Sequence, residues 1–439
     1  MSFFNEKIHV SFEGMLMAFS DALNLVDERL TDHHKQVGYI CYEFCRLLEL
    51  DDDFTKKLVM LGLVHDIGAF REEERSRLLS FEVENVMDHA VTGYLLLRHI
   101  SIYEDFAQAI LYHHTHYRQG LNFTEVEQET AMMAQLIFLA DRVSVLALTS
   151  QKNVLASVSD IIMTIESESG SLFNPTYVAL LLKLKKYDFF WLNLMTDNKD
   201  RIIRDLIIRN EVDMTYKVFK DFTKMFVYSI DFRSRYTATH SMGVAAVAKA
   251  LANLYGLDEG HAQMVEMAGY YHDIGKLMVP YEILDKPGPL TEDEYNLIKQ
   301  HPYFTKYILE RIEGMEFINE ISSNHHEMAD GQGYPYRLGD KELSLEAKLL
   351  TVADIFTALT ENRPYREQAS NDEIRNLFRQ LVAQGKIEKT LADIAIKYSN
   401  ELHKLNAQIQ KRIIDEFDAI DAEREALIHQ LTMKTASGF

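Results

Sequence analysis

Along nearly the whole chain apolar residues recur at spacings of three and four, and the sustained apolar-polar alternation of a half-buried strand is almost absent. The pattern predicts an all-α protein. Its clearest interruption is "LDKPGPLTEDE", where Pro287, Gly288 and Pro289 stop a helix and Thr291 with Glu294 forms a capping-box pattern that restarts one. Towards the carboxy terminus Leu402, Leu405, Ile409, Ile413, Phe417, Ile420, Leu427 and Leu431 lie along one helical stripe. Such a stripe suits packing on its own domain and also a homodimer seam. The stretch from about 170 to 220, which includes "NPTYVALLLKLKKYDFFWLNLM", reads as a helical linker, with its single Trp191 in an interdomain core.

Length and charge narrow this picture. A chain of 439 residues is too long for one ordinary core, and we expect two domains, 1-200 and 201-439. The formal charge of -21, from 46 basic and 67 acidic side chains, repels polyanions, so nucleic acid polymers and anionic membranes are not expected partners. A phosphate-containing ligand would need a local cationic cluster. Cys41 and Cys45 are the only cysteines, too few for a disulfide framework. The start, "MSFFNEKIHV", lacks the features of a signal peptide, and the apolar stretch "MAQLIFLADRVSVLAL" is interrupted by Asp141 and Arg142. These features lead us to expect a soluble, cytoplasmic protein.

An internal repeat points to the chemistry. The second half carries, in order, His240, His272 and Asp273 in "YYHDIGK", His301 in "KQHPYF", His325 and His326 in "NHHEMADGQGYP", and Asp354 in "TVADIF". The first half carries His33, His65 and Asp66 in "LVHDIGA", His89 in "MDHAVTG", His113 and His114 in "LYHHTH", and Asp141 in "FLADRV". In each copy 32 residues separate the first two histidines, and 24 separate the third from the fourth. The last gap is 27 in one copy and 28 in the other. The discrepant gap, 24 against 29, contains the Pro-Gly-Pro loop.

Any one of these histidines could be a solvated or core side chain, but seven ligand-type residues repeated in one order form a constellation. Five histidines and two carboxylates exceed the roughly four to six ligands of one first-row ion. Two ions sharing a bridging carboxylate would use them all. The set suits iron, manganese or zinc, and the lack of thiolate argues against a closed structural zinc site. Two such ions about 3.5 to 4 Å apart activate water against a phosphoester, which makes phosphoester hydrolysis the leading chemistry.

"HDIGK", then "HHEMADGQGYP", Asp354 and "ENRPYR", over about residues 224 to 380, resembles the HD-GYP family of bacterial cyclic dinucleotide phosphodiesterases. The first half resembles the wider HD superfamily over about residues 20 to 150. The resemblance implies that His240, His272 and Asp354 hold one metal, that His301, His325 and His326 hold the other, and that Asp273 bridges them. It implies iron or manganese as the ions, and Lys276 as the group that meets the phosphate and the leaving 3′ oxygen. It further implies phosphate contacts from Arg363 and Arg366, and a loop of Gly333, Tyr334 and Pro335 that borders the substrate and is a place for a signalling partner. From the residues themselves, Gly331 and Gly333 allow positive φ and Pro335 fixes the loop exit. Tyr334 suits stacking on a base and packing of the loop equally well. Glu327 and Asp330 are candidates for orienting the ligand histidines.

Departures from the family pattern qualify this. Tyr236 stands where some members carry a Glu that binds a third metal, so two metals are expected. Thr357 replaces a frequent Asp three residues after Asp354, and Met328 a frequent Arg, which leaves the choice between cyclic di-GMP and 3′,3′-cyclic GMP-AMP open. A tandem HD chain resembles the branch that handles the mixed dinucleotide. The amino-terminal copy keeps all seven ligand types but has Ala69 in place of Lys276 and lacks the GYP loop. It is expected to be a second metal site with a regulatory or scaffolding role, or a hydrolase of a smaller nucleotide. Two other readings remain: a catalytically silent cyclic dinucleotide receptor, and an HD-type nucleotide phosphohydrolase that works through the amino-terminal copy.

Overall fold

The structure is a computed structural model and describes residues 9–24, 32–69, 81, 87–119, 126–150, 153–209, 214–231, 239–284, 286, 288–361 and 368–436. Among these the chain is helical throughout, and β-pairing is limited to two isolated bridges, Ser169 with Phe173 and Asp330 with Gly339. The expected capping box at Thr291 and Glu294 is present and opens the helix Glu292–Ile298.

The chain divides into two compact units. One comprises residues 15–213 with 420–439, the other residues 1–14 with 214–419. The division therefore falls near residue 213, beyond the expected 200, and each unit takes a short terminal segment from the far end of the sequence. An apolar contact and a backbone hydrogen bond hold the amino-terminal segment in its unit. Phe12 packs edge-on against Phe222 at 5.7 Å in the carboxy-terminal unit, and the Ser11 amide donates to the Glu313 carbonyl.

The segment read as a linker belongs to the amino-terminal unit. Trp191 is fully buried beside Phe190, which stacks on Tyr39 of the helix His33–Leu48. Polar contacts pin the same surface, with Asn193 donating to the Tyr39 hydroxyl and Lys35 to Asp200. Trp191 is therefore core of one domain rather than filler between two.

The helix Ser399–Ala436 carries the expected stripe, part of which is buried within the chain. Leu402, Ile413 and Ile420 are buried, and Phe417 packs against Tyr228 in the carboxy-terminal unit. The helix Gln128–Thr149 is long and apolar enough by length and composition to cross a membrane. However, 78% of its apolar window is buried in the protein, and it carries Asp141 to the centre of the amino-terminal unit.

Candidate metal centre

The two copies place their ligand-type residues at matching points of matching helices. His240 and His33 each begin a helix, His240–Tyr255 and His33–Leu48. The His-Asp pairs lie just beyond the helices Glu259–Tyr271 and Asp52–Gly62. His301 and His89 lie in the first turn of theirs, the adjacent histidines follow Glu316–Ser323 and Gln108–Leu111, and Asp354 and Asp141 sit within the long core helices. The glycine of each "HDIG" permits the close approach that gathers the set. A Cβ on Gly275 would lie 1.9 Å from the His301 carbonyl oxygen, and one on Gly68 would lie 2.1 Å from that of His89.

In the carboxy-terminal unit the two oxygens of Asp273 serve different groups. Oδ2 lies 3.2 Å from His272 Nε2 and 3.9 Å from His240 Nε2, while Oδ1 lies 3.3 Å from His301 Nε2 and 4.0 Å from His325 Nε2. Asp354 approaches His240 Nε2 at 3.1 Å and His326 Nδ1 at 3.9 Å. His240, His272 and Asp273 thus converge on one point, and His301, His325 and His326 on another. The amino-terminal unit repeats the division. Asp66 Oδ2 faces His33 and His65 at 3.8 and 3.2 Å, and Oδ1 faces His89 and His113 at 3.5 and 3.7 Å. Asp141 Oδ1 lies 3.4 Å from His33 Nε2, and His114 closes on His89 at 2.9 Å.

The donor set fits divalent cations. His272, His301 and His325 each place Nδ1 within 2.6 to 2.7 Å of a backbone carbonyl three residues back. A carbonyl can only accept, so Nδ1 carries the hydrogen and each Nε2 presents a lone pair to the centre. His301 and His325 then point two lone pairs at each other across 3.1 Å, an arrangement that calls for a cation between the rings. Burial holds His301, His325 and His326 well below the ordinary histidine range, so they are neutral. His272 Nε2, His33 Nε2, His65 Nε2, His113 Nε2, Asp66 Oδ1 and Asp141 Oδ1 are buried with no hydrogen-bond partner. Left unmet, each such group costs about 1–3 kcal/mol.

Around the ligands the structure sharpens the sequence reading. Lys276 donates to Asp273 Oδ2 at 2.5 Å from the exposed edge of the cluster. Tyr334 packs its ring 4.8 Å from that of His326, with Lys299 over its other part at 5.2 Å, so the loop is packed against the metal-side histidine. Gly331 has φ of 70°, as expected. Gly333 does not have positive φ. It is needed because a Cβ there would lie 2.5 Å from Glu327 Cα and Met328 N. Glu327 does not orient the histidines: its carboxylate accepts the amides of Tyr336, Arg337 and Leu338 and so ties down the stretch of loop after Pro335. Asp330 accepts the Gln332 amide at the exposed turn. Arg363, Arg366 and Tyr236 lie outside the described residues.

Four neighbours went unassigned in the sequence. Glu361 faces His240 Nδ1 with both oxygens at 3.1 Å. Burial works to lower His240, but Glu361 and Asp354 outweigh it and push it up to about 10. In the other copy Ser144 Oγ lies 2.9 Å from His33 Nδ1, and Arg142, fully buried, donates to Asp141 Oδ2 at 2.7 Å. His34 sets a further imidazole 5.5 Å from that of His33. Only "ENRPYR" carried any signal for these, since a Glu or Ser distant in sequence has no ligand signature.

Comparisons with known proteins agree with this geometry. The HD domain family matches residues 220–388 and again residues 30–146. The 3′3′-cGAMP-specific phosphodiesterase 1 of Vibrio cholerae is 30% identical over 92% of this chain and 95% of its own length. A cyclic di-GMP phosphodiesterase of Pseudomonas aeruginosa is 38% identical over 30% of this chain and 32% of its own. The crystal structure of a cyclic GMP-AMP specific phosphodiesterase of V. cholerae superposes with a TM-score of 0.63 at 20% identity, over 89% of this chain and 98% of that one, a likeness of fold.

Proposed function

The chain belongs to the HD-GYP family of cyclic dinucleotide phosphodiesterases, and from that premise we propose that it is a 3′,3′-cyclic GMP-AMP hydrolase whose carboxy-terminal cluster performs the reaction. It is a metal-dependent enzyme that opens a cyclic dinucleotide to the linear 5′-phosphorylated form. The extent of likeness carries the choice of substrate: the relative named for 3′3′-cGAMP aligns through both HD units, whereas the P. aeruginosa relative named for cyclic di-GMP aligns with less than a third of the chain.

In this reading His240, His272 and Asp354 would hold one divalent ion, iron or manganese, and His301, His325 and His326 a second, with Asp273 available to both. Such a pair supplies Lewis acidity to a phosphoryl oxygen and makes water nucleophilic near neutral pH. Asp273 stays ionised: burial works against this, but the groups around it, the Lys276 ammonium among them, hold its carboxyl well below the usual range. Lys276 offsets negative charge that builds on the phosphoryl oxygens and on the departing 3′ oxygen. Arg363 and Arg366 would supply phosphate contacts, and Tyr334 with Pro335 would border the substrate beside His326. The amino-terminal cluster holds metal in a regulatory or scaffolding role, because Ala69 supplies no cation where Lys276 does. The enzyme acts in the cytoplasm, where Cys41 and Cys45 remain thiols.

The test is turnover of 3′,3′-cyclic GMP-AMP and cyclic di-GMP side by side, with protein loaded anaerobically with iron or with manganese and products separated by chromatography. Linear dinucleotide, formed faster from the mixed substrate and absent with Asp273→Ala, is the expected result. Faster turnover of cyclic di-GMP would overturn the substrate choice, and tight binding without turnover would make the protein a receptor.

A further inference from the structure

We propose that Glu361 is the positioning residue for His240, and that it makes the carboxy-terminal cluster the tighter of two unequal metal sites; the inference rests on reading both clusters as metal sites. Glu361 is 3% exposed and follows directly on the helix Leu345–Thr360, where extended backbone, φ -91° and ψ 140°, ends the helix. Both its oxygens lie 3.1 Å from His240 Nδ1. The Nδ1 hydrogen is donated to this carboxylate, so the Nε2 lone pair, freed once a metal ion displaces its proton, is aimed at the side occupied by Asp354, 3.1 Å away, and Asp273. A carboxylate behind a ligand imidazole fixes its tautomer and strengthens it as a donor.

The internal repeat provides the comparison. Behind His33 stands Ser144, whose hydroxyl donates to Gln36 Oε1 at 2.7 Å and therefore accepts from His33 Nδ1 at 2.9 Å. The tautomer is the same, but the group that sets it is neutral. Ser144 is three residues beyond Asp141, and the residue three beyond Asp354 is Thr357, fully buried with no hydrogen-bond partner for its hydroxyl. Glu361, one helical turn further on, has taken over the place behind the histidine and brought a charge with it.

Net charge distinguishes the copies in the same sense. Among the described residues in contact with the ligand sets, and counting histidines as neutral, Asp273, Asp354 and Glu361 against Lys276 leave two negative charges, whereas Asp66 and Asp141 against Arg142 leave one. Each copy has one cation on a ligand-type carboxylate, Lys276 on Asp273 at 2.5 Å and Arg142 on Asp141 at 2.7 Å. The additional carboxylate, Glu361, attracts a divalent ion more strongly to the carboxy-terminal cluster.

The experiment titrates Mn(II) into the full-length protein stripped with chelator, reading free Mn(II) by its electron paramagnetic resonance signal. The wild type should bind in two classes, and Asp273→Asn should remove the tighter. Glu361→Gln keeps the volume and an acceptor oxygen but removes the charge, and should weaken that class roughly 10- to 100-fold while the weaker class is unchanged. Adding Thr357→Asp should restore it, because that position reaches the histidine in the other copy. Retention of tight binding within twofold in Glu361→Gln overturns the proposal. So does a loss that Thr357→Asp leaves in place, accompanied by lower thermal stability of the stripped protein, since that is a merely structural role. A tight class that disappears with Asp66→Asn instead of Asp273→Asn reverses the ranking of the sites. Wild type that binds no Mn(II) overturns the underlying metal-site reading.

Discussion

The ammonium of Lys276 sits 2.5 Å from Asp273 Oδ2, the oxygen that also faces His240 and His272. A cation beside the shared carboxylate can meet a substrate phosphate without serving as a metal ligand. Lys276→Ala should therefore lower kcat by about 10²-fold, the scale seen when one group that stabilises developing charge is lost. Metal content, measured by elemental analysis, should stay at the wild-type level. A variant that loses metal together with activity would assign Lys276 to upkeep of the site.

Removing metal should destabilise the carboxy-terminal unit, because its converging lone pairs and buried carboxylates then lose their partner. At free metal about a thousand times Kd, binding contributes roughly 4 kcal/mol, worth about 10 °C in the melting temperature of a domain this size. Calorimetry of chelated and reloaded protein checks this, and in Asp273→Ala the transition of the carboxy-terminal unit should fall at the same temperature with and without metal.

Gly333 is held by contact rather than by φ. The Cβ in Gly333→Ala would meet backbone atoms at 2.5 Å, so the loop must move and carry Tyr334 off His326. kcat/KM should fall at least about tenfold, equivalent to about 1.4 kcal/mol. Gly331→Ala, at φ of 70° and with its nearest neighbour at 3.6 Å, should cost about 1–2 kcal/mol of local strain and less activity. Steady-state kinetics on the two variants, set against their metal content, separates the effects.

Away from the centre, Glu266 is buried and accepts from Tyr216 at 3.0 Å, Tyr270 at 3.1 Å, Lys220 at 2.5 Å and Lys249 at 2.9 Å. Burial tends to raise its carboxyl, but Lys220 and Lys249 outweigh it and hold it below the ordinary glutamate value. A lowered folded-state pKa contributes stability that is present above the unfolded value, about 4.3, and lost as pH falls through the folded one. Glu266→Gln should cost about 1.5–3 kcal/mol at pH 7. The gap from wild type should narrow in urea unfolding as the pH is lowered below about 4.3.

Much of the fold and most of the candidate ligands were legible in the chain, for a chemical reason. Imidazole and carboxylate are chosen by metals for their atoms, so His240, His272, Asp273, His301, His325, His326 and Asp354 stand out by identity, and the repeat at His33 to Asp141 doubles the signal. The three-and-four spacing of apolar residues likewise determined helices, because burial of one face needs that period.

Tertiary structure decided what generic residues do. Glu361 is 121 residues from His240, and nothing in its type marks it as that histidine's partner. Glu327 was one carboxylate among many until the fold brought three amides to it, and Gly333 was one more glycine until Glu327 and Met328 closed on it. The division near residue 213 and the burial of Trp191 in a single unit depend on which apolar faces meet. Apolar contact carries no directional label in the sequence, whereas a ligand set does.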